Sequence, residues 1–274
     1  MEKLWLKIIE NKANPVNWPL RALLWLASLC YRAGLLLRVV FVHSTVRPRA
    51  PTVSIGNLTV GGAGKTPVTI ELARRLLASG RKVGIVSSGY GRTGRKAIVG
   101  IGKELQKYTV EEIGDEVMMM AECLPDAYFA LESSKSKAAR KLDVKNPDVI
   151  LVDDGYQHRR LHRDCNILLI DARLDLRREC LFPLGKLREP LSASGRADAI
   201  ILTKTNLPGN NPGFVRYVRQ HHGNRVVAEA EFSNGAIVAA DTRINWKDIG
   251  DSGVYLFAGI AEGRSFIEQV HSRV

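Results

Sequence analysis

The stretch SIGNLTVGGAGKTP, residues 54–67, constrains the fold more than any other part of the chain. An apolar, β-branched run (TVSIG, 52–56) enters a glycine-rich loop. Lys65-Thr66-Pro67 then opens a helical pattern of Val68, Leu72, Ala73, Leu76 and Leu77. Strand, glycine loop and helix in this order make a phosphate cradle, because backbone N–H groups and a helix N-terminus converge on an anion. Thr59, Val60, Gly61, Gly62, Ala63, Gly64, Lys65 and Thr66 are therefore expected to bind a nucleotide. Lys65 reaches the terminal phosphates and the Thr66 hydroxyl is placed to ligate Mg²⁺. Pro67 is compatible, since an early helical position lacks an intrahelical N–H partner. The strict pattern has glycine where Thr59 stands, at the base of the loop, and the alternative is a tight glycine turn without a ligand.

Beyond the loop, short apolar runs at 83–87, 97–101, 127–131, 148–152, 166–170 and 199–203 alternate with helical patterns. That alternation predicts an α/β fold with a mostly parallel, buried sheet. Near 207 the texture changes. NLPGNNPG is a turn cluster, and two strand-like runs flank Asn234-Gly235, which signals a hairpin. The expected division is a membrane-associating segment at 1–45, a nucleotide-binding core at 46–206, and a hairpin linker with a smaller C-terminal unit at 207–274.

The formal charge is +12, and half of that excess lies within residues 1–50. Such asymmetry points to an anionic partner. Residues 18–42 are rich in leucine, yet Arg21, Arg32 and Arg38 interrupt them, which weakens a membrane-spanning assignment. On a helical wheel Arg21, Trp25, Ser28 and Arg32 share one side. That predicts an interfacial helix with arginines among headgroups and leucines in the acyl boundary; the other reading is a helix buried against the protein's own core. Cys30, Cys123, Cys165 and Cys180 are scattered without metal-ligand spacing, which suggests neither disulfides nor zinc and fits a reducing cytoplasm.

Three further stretches carry polar groups. In PDVILVDDGYQH a strand delivers Asp153 and Asp154 at its C-terminal end, where carboxylates organise Mg²⁺ beside a phosphate loop; an Asp pair after a strand is otherwise a solvated turn. Asp115, before a helical pattern, is either an N-cap or a carboxylate that deprotonates an attacking hydroxyl. His158 and His162 lie among Arg159, Arg160 and Arg163, which suits phosphates or lipid headgroups better than a cation. In LTKTN, Asn206 takes the place of a base-reading Asp, and an amide favours adenine over guanine there.

Taken together, GNLTVGGAGKTP, SGYGR, GDE, DDGYQH and FPLGKLREPL resemble the tetraacyldisaccharide 4'-kinase family, the lipid A 4'-kinases, over roughly residues 15 to 265. The resemblance implies a membrane-associated, RecA-like P-loop kinase using ATP and Mg²⁺. Its acceptor would be the 4'-hydroxyl of a tetraacylated glucosamine disaccharide 1-phosphate, met at the cytoplasmic face of the bacterial inner membrane. It implies that Lys65 and Thr66 hold phosphates and metal, and that Asp153 and Asp154 support the metal. Asp115 would be the catalytic base, while Arg188, Tyr90, Gln157 and Arg92 line the phosphate and sugar sites.

Three departures accompany it. Ser88 and Lys135 stand where the family has arginine, and the family's C-terminal Asp-His pair has no counterpart after YLFAGI. His271 lies too close to that motif to be its histidine, so the C-terminal domain is expected to be incomplete. The competing classes are a P-loop ATPase or GTPase switch and a basic binding protein without catalysis. Nucleic acid is disfavoured as a partner, because only 7% of residues are aromatic and the N-terminal ones sit among leucines.

Overall fold

A computed structural model describes residues 2–10, 17–41, 45–94, 96–232, 237–239, 242–244 and 267. Helices α1 (Glu2–Glu10) and α2 (Trp18–Phe41) precede β1 (Thr52–Asn57), α3 (Lys65–Ala78), β2 (Val83–Ser87) and β3 (Ile98–Ile101). Short helices α4 (Gly102–Leu105) and α5 (Val110–Ile113) lead to α6 (Asp115–Cys123), β4 (Tyr128–Leu131), α7 (Lys135–Asp143), β5 (Val149–Asp153) and β6 (Cys165–Asp171). A 3₁₀ segment (Leu191–Arg196), β7 (Ala199–Thr203), α8 (Pro212–His221), β8 (Val226–Ala230), β9 (Ile237–Ala239) and β10 (Thr242–Ile244) follow.

Strands β1 to β8 make one sheet in the order β3-β4-β2-β5-β1-β6-β7-β8. Every pairing in it is parallel except β3 with β4. The strands are near-continuous Val, Ile and Leu runs because helices cover both faces. On one face Ile55, Ile85, Leu151 and Leu169 pack with Ile70 and Ala73 of α3 and Val117 and Met120 of α6. On the other, Ile150 and Val152 meet Ala138, Ala139 and Leu142 of α7, and Leu168, Ile170, Ile200 and Leu202 meet Phe214 and Val218 of α8. Ile55 is in register with Asp153 and Ile167. By the two-residue strand period, Asn57, Asp153 and Asp171 therefore share the α3 face at the C-terminal edge, where open α/β sheets bind ligands.

The expected hairpin around Asn234-Gly235 is placed differently. β8 joins the main sheet parallel to β7, and the antiparallel pair is β9 with β10. The physical reason is the connection: α8 carries the chain back across the sheet, and such a crossover returns the next strand parallel. The sheet thus continues to Ala230, beyond the boundary expected at 206. The turn at Asn234-Gly235, the segment after YLFAGI and His271 lie outside the described residues.

The N-terminal helix also differs from its expected orientation. Ser28 is buried and Arg21, Leu24, Tyr31 and Leu35 are half-buried, at spacings of three and four, so this stripe faces the protein. Arg21 donates to the carbonyls of Ile8 and Ile9 at 3.1 and 3.2 Å. It caps the last turn of α1 instead of pointing toward headgroups. Trp25, Leu26, Leu29, Leu36, Leu37 and Phe41 are exposed, so burial against the protein's own core does not describe this helix either. By length and composition alone, Trp18–Arg38 is long and apolar enough to cross a membrane.

Candidate active site

Thr59 is where it is because the base of the loop is extended. It forms an antiparallel bridge with Leu187, flanked by Val60 N–H to the Lys186 carbonyl at 2.7 Å and Arg188 N–H to the Leu58 carbonyl at 2.7 Å. A β-branched residue suits that conformation better than glycine. Asn57 Nδ2 also donates to the Thr59 carbonyl and hydroxyl at 2.9 and 3.0 Å. Glycine is required at the tip instead. Gly61 and Gly64 have φ of 109° and 78°, and a Cβ on Gly64 would come within 2.6 Å of the Phe232 ring. From the far side, Thr203 Oγ1 donates to the Ala63 carbonyl at 3.0 Å and Lys204 Nζ donates to the Gly62 carbonyl at 2.7 Å.

Lys65, first residue of α3, places Nζ 3.3 Å from Asn57 Oδ1 and 3.6 Å from Asp154 Oδ1. Arg188 donates to both oxygens of Asp154, at 3.2 and 2.9 Å. Burial alone would raise the Asp154 pKa, but Lys65, Arg188 and Lys135 outweigh it and hold the carboxyl below its usual range. Asp153 behaves in the opposite way. Burial, helped by the charges of Glu116 and Asp154, pushes it up to about 6. Its Oδ1 is buried without a hydrogen-bond partner, a costly state that a hard cation would relieve. Mg²⁺ therefore fits Asp153 together with the buried Thr66 hydroxyl, whereas Asp154 is already committed to two cations.

Asp115 is not an N-cap. Gly114, at φ 88°, occupies that position, and Asp115 is the exposed first residue of α6, its carboxylate accepting from Glu116 N–H at 2.9 Å. Gln157 Nε2 donates to the Asn57 carbonyl at 2.7 Å, so it reaches the base of the loop. Tyr90 is fully in solvent at 82% exposure, and Arg92 is turned to the Lys96 carbonyl at 3.0 Å. Among the described residues, neither side chain makes a hydrogen bond to the loop. Helix α2 reaches the site through Tyr31, whose hydroxyl donates to the Arg188 carbonyl at 2.9 Å, and Arg38, which donates to the Gln157 carbonyl at 3.0 Å.

The profile of the LpxK family, tetraacyldisaccharide-1-P 4'-kinase, matches residues 20–273. The chain belongs to this family. It is 38% identical to the tetraacyldisaccharide 4'-kinase of Pelobacter propionicus, over 88% of this chain and 65% of the relative. With that of Geobacter sulfurreducens it shares 42% identity, over 65% of this chain and 49% of the relative. The matched part of the chain thus spans about half to two thirds of the length of these two proteins. The LpxK of Aquifex aeolicus, solved in complex with ATP, superposes with a TM-score of 0.63 at 28% identity, covering 86% of this chain and 85% of that one.

Against this LpxK background, the structure gives Lys135 a supporting place. It is buried and its ammonium donates to the carbonyls of Asp153 and Asp154, both at 2.5 Å, which fixes the end of β5. Burial holds its pKa below the usual lysine value. The amide of Asn206 is engaged within the chain. Its amide donates to the Phe232 carbonyl at 2.7 Å and accepts from the Phe232 N–H at 3.0 Å. Sequence reasoning missed Asn57 and the bracing role of Thr203 and Lys204, and it read Arg163 as part of a surface for phosphates or lipid headgroups. Arg163 donates to the carbonyls of Gly155, Tyr156 and His158, tying down the loop after β5. The available signal was a polar residue at the end of an apolar strand, in GNLT and in LTK.

Proposed function

We propose that the protein is an ATP-dependent lipid A 4'-kinase, phosphorylating the 4'-hydroxyl of a tetraacylated glucosamine disaccharide 1-phosphate as a peripheral protein on the cytoplasmic face of the bacterial inner membrane. The observation that carries this reading is the meeting of Lys65, Asp153, Asp154 and Arg188 around a glycine loop in a member of this family. When bound, Mg²⁺ supplies charge neutralisation of the phosphates. Lys65 and the loop amides orient the phosphates, Thr66 and Asp153 hold the metal, and Arg188 supports transition-state charge. Asp115 takes the proton from the acceptor hydroxyl as its oxygen bonds to the γ-phosphorus, while the bond between that phosphorus and the β–γ bridging oxygen breaks and ADP leaves. The exposed leucines and tryptophans of α2 rest in the acyl boundary beside that hydroxyl.

Transfer of labelled γ-phosphate from ATP to the tetraacyl disaccharide 1-phosphate, with Mg²⁺ and in neutral detergent micelles, tests the reading. The expected product carries a second phosphate. Asp115→Asn is expected to cut turnover by roughly 10²–10⁴-fold with ATP affinity preserved. ATP hydrolysis that ignores the lipid and responds to a protein partner would instead identify a nucleotide switch.

A further inference from the structure

Residues 181–188 lie between the N-terminal helices and the phosphate site, and they are held from both sides. The loop is closed on itself, with Phe182 N–H donating to the Leu187 carbonyl at 2.8 Å, Gly185 N–H to the Leu181 carbonyl at 3.0 Å and Leu187 N–H to the Cys180 carbonyl at 3.0 Å. A displacement at its tip is therefore carried to Arg188. One side backs the phosphate loop through the bridge between Thr59 and Leu187, and its last residue holds Asp154 with its guanidinium. The other side meets the helices. Trp5 Nε1 donates to the Pro183 carbonyl at 2.7 Å, the Phe182 ring lies 5.7 Å from the rings of both Trp5 and Tyr31, and the Tyr31 hydroxyl donates to the Arg188 carbonyl. Tyr31 thus grips the backbone of a residue whose side chain serves the site. Both of these hydrogen bonds are only part-buried, Phe182 is 37% exposed, and Leu4, next to Trp5, is 63% exposed. In water, solvent competes for the two donors. Where an apolar phase covers the rim formed by Leu4 and Phe182, that competition is lost and leaving either pair unmade costs more. A lipid surface therefore interacts differently with the seated loop and with a lifted one, which is what a shift between two states requires.

We propose that Tyr31 is a positioning residue for Arg188, and that through the 181–188 loop contact with a lipid surface and binding of nucleotide favour each other. The proposal rests on the peripheral-membrane reading above for the lipid surface. It explains why a helix with an exposed apolar side spends a buried hydroxyl on the backbone of Arg188.

The test sediments the full chain with vesicles of phosphatidylcholine and phosphatidylglycerol, without acceptor lipid, in the presence and absence of Mg²⁺ and a non-hydrolysable ATP analogue. The Kd of the analogue is measured with and without the same vesicles. Linkage requires the two ratios to be equal, and a ratio of about fivefold or more is expected. Tyr31→Phe keeps the ring on Phe182 and loses only the hydroxyl bond. Its ratio should fall to near one, while its partition without nucleotide and its Kd without vesicles match the parent. With acceptor in neutral detergent micelles its kcat should drop and its KM for ATP stay unchanged, a split that a general loosening of the fold would not produce. If Tyr31→Phe lowers the unfolding midpoint, Trp5→Phe decides, because it cuts the bond to Pro183 at the far end of the loop and should lose the linkage as well. Linkage retained in both variants, or partition of the parent that ignores nucleotide, would overturn the proposal alone. A parent that neither partitions nor binds the analogue would overturn the reading above and the proposal with it.

Discussion

Asp153 and Asp154 are neighbours in sequence with opposite environments, which separates a carboxylate suited to a metal from one committed to cationic side chains. Asp154 is shared by Lys65 and Arg188, while Asp153 is buried with an unpartnered oxygen and titrates near 6. A carboxyl whose folded pKa is raised binds extra protons in the native state, so stability is highest below the unfolded value and declines as pH rises toward 6. Above pH 6 the ionised Asp153 costs up to about 3 kcal/mol, a figure that already includes its attraction to Lys135 and Lys65. Asp153→Asn is accordingly expected to raise the thermal midpoint of the ligand-free protein at pH 7.5, with the two curves converging near pH 4. It should also abolish Mg²⁺-dependent turnover. Calorimetry across that range checks the sign, and a variant less stable than the parent at pH 7.5 would reject the assignment. Thr59 teaches a related lesson. Its departure from the strict loop pattern was visible in the sequence, but its cause, the bridge to Leu187, joins residues too far apart for local spacing to reveal.

At the scale of elements, α2 has two faces with different duties. The Arg21, Leu24, Ser28, Tyr31 and Leu35 stripe docks on the protein, and the opposite side leaves large apolar groups in solvent. Burying a leucine is worth about 1.5–3 kcal/mol, so Leu26→Glu/Leu37→Glu is expected to lower partition onto anionic phospholipid vesicles by well over tenfold without shifting the unfolding midpoint. Arg21→Ala should do the reverse, leaving partition intact and destabilising the α1 junction by about 1 kcal/mol. Vesicle sedimentation and thermal melts separate the two. The sheet strands and the phosphate loop were legible because each is announced by an uninterrupted apolar run or a glycine cluster. The rotation of α2 was not, because leucines on nearly every side flatten the helical period, and contacts with α1 and the 182–188 loop choose the face. The partner of β8 was equally hidden, since Asn234-Gly235 signals a turn locally while α8 decides which strand lies alongside.

For the molecule as a whole, the loop is held from three sides by segments remote in sequence: the 186–188 stretch, the end of β7, and the chain just past β8. The last is the least obvious. Asn206 pairs with the Phe232 backbone through both halves of its amide, and this seats the Phe232 ring on Gly64 at the start of α3. Nucleotide binding is therefore expected to be coupled, through this one aromatic ring, to the position of the chain leaving the main sheet. Asn206→Ala is expected to remove two hydrogen bonds, each worth about 1 kcal/mol. Exchange of the Phe232 amide should accelerate by at least tenfold while the amides of β1 and β5, in the centre of the sheet, keep their protection. The coupling also predicts that saturating ATP slows Phe232 exchange in the parent and much less in the variant, because a ligand that favours the seated ring must stabilise the pairing that seats it. Hydrogen exchange read by mass spectrometry, with and without nucleotide, distinguishes this from general loosening. Equal acceleration across β1, β5 and residue 232 would show that Asn206 only supports the fold.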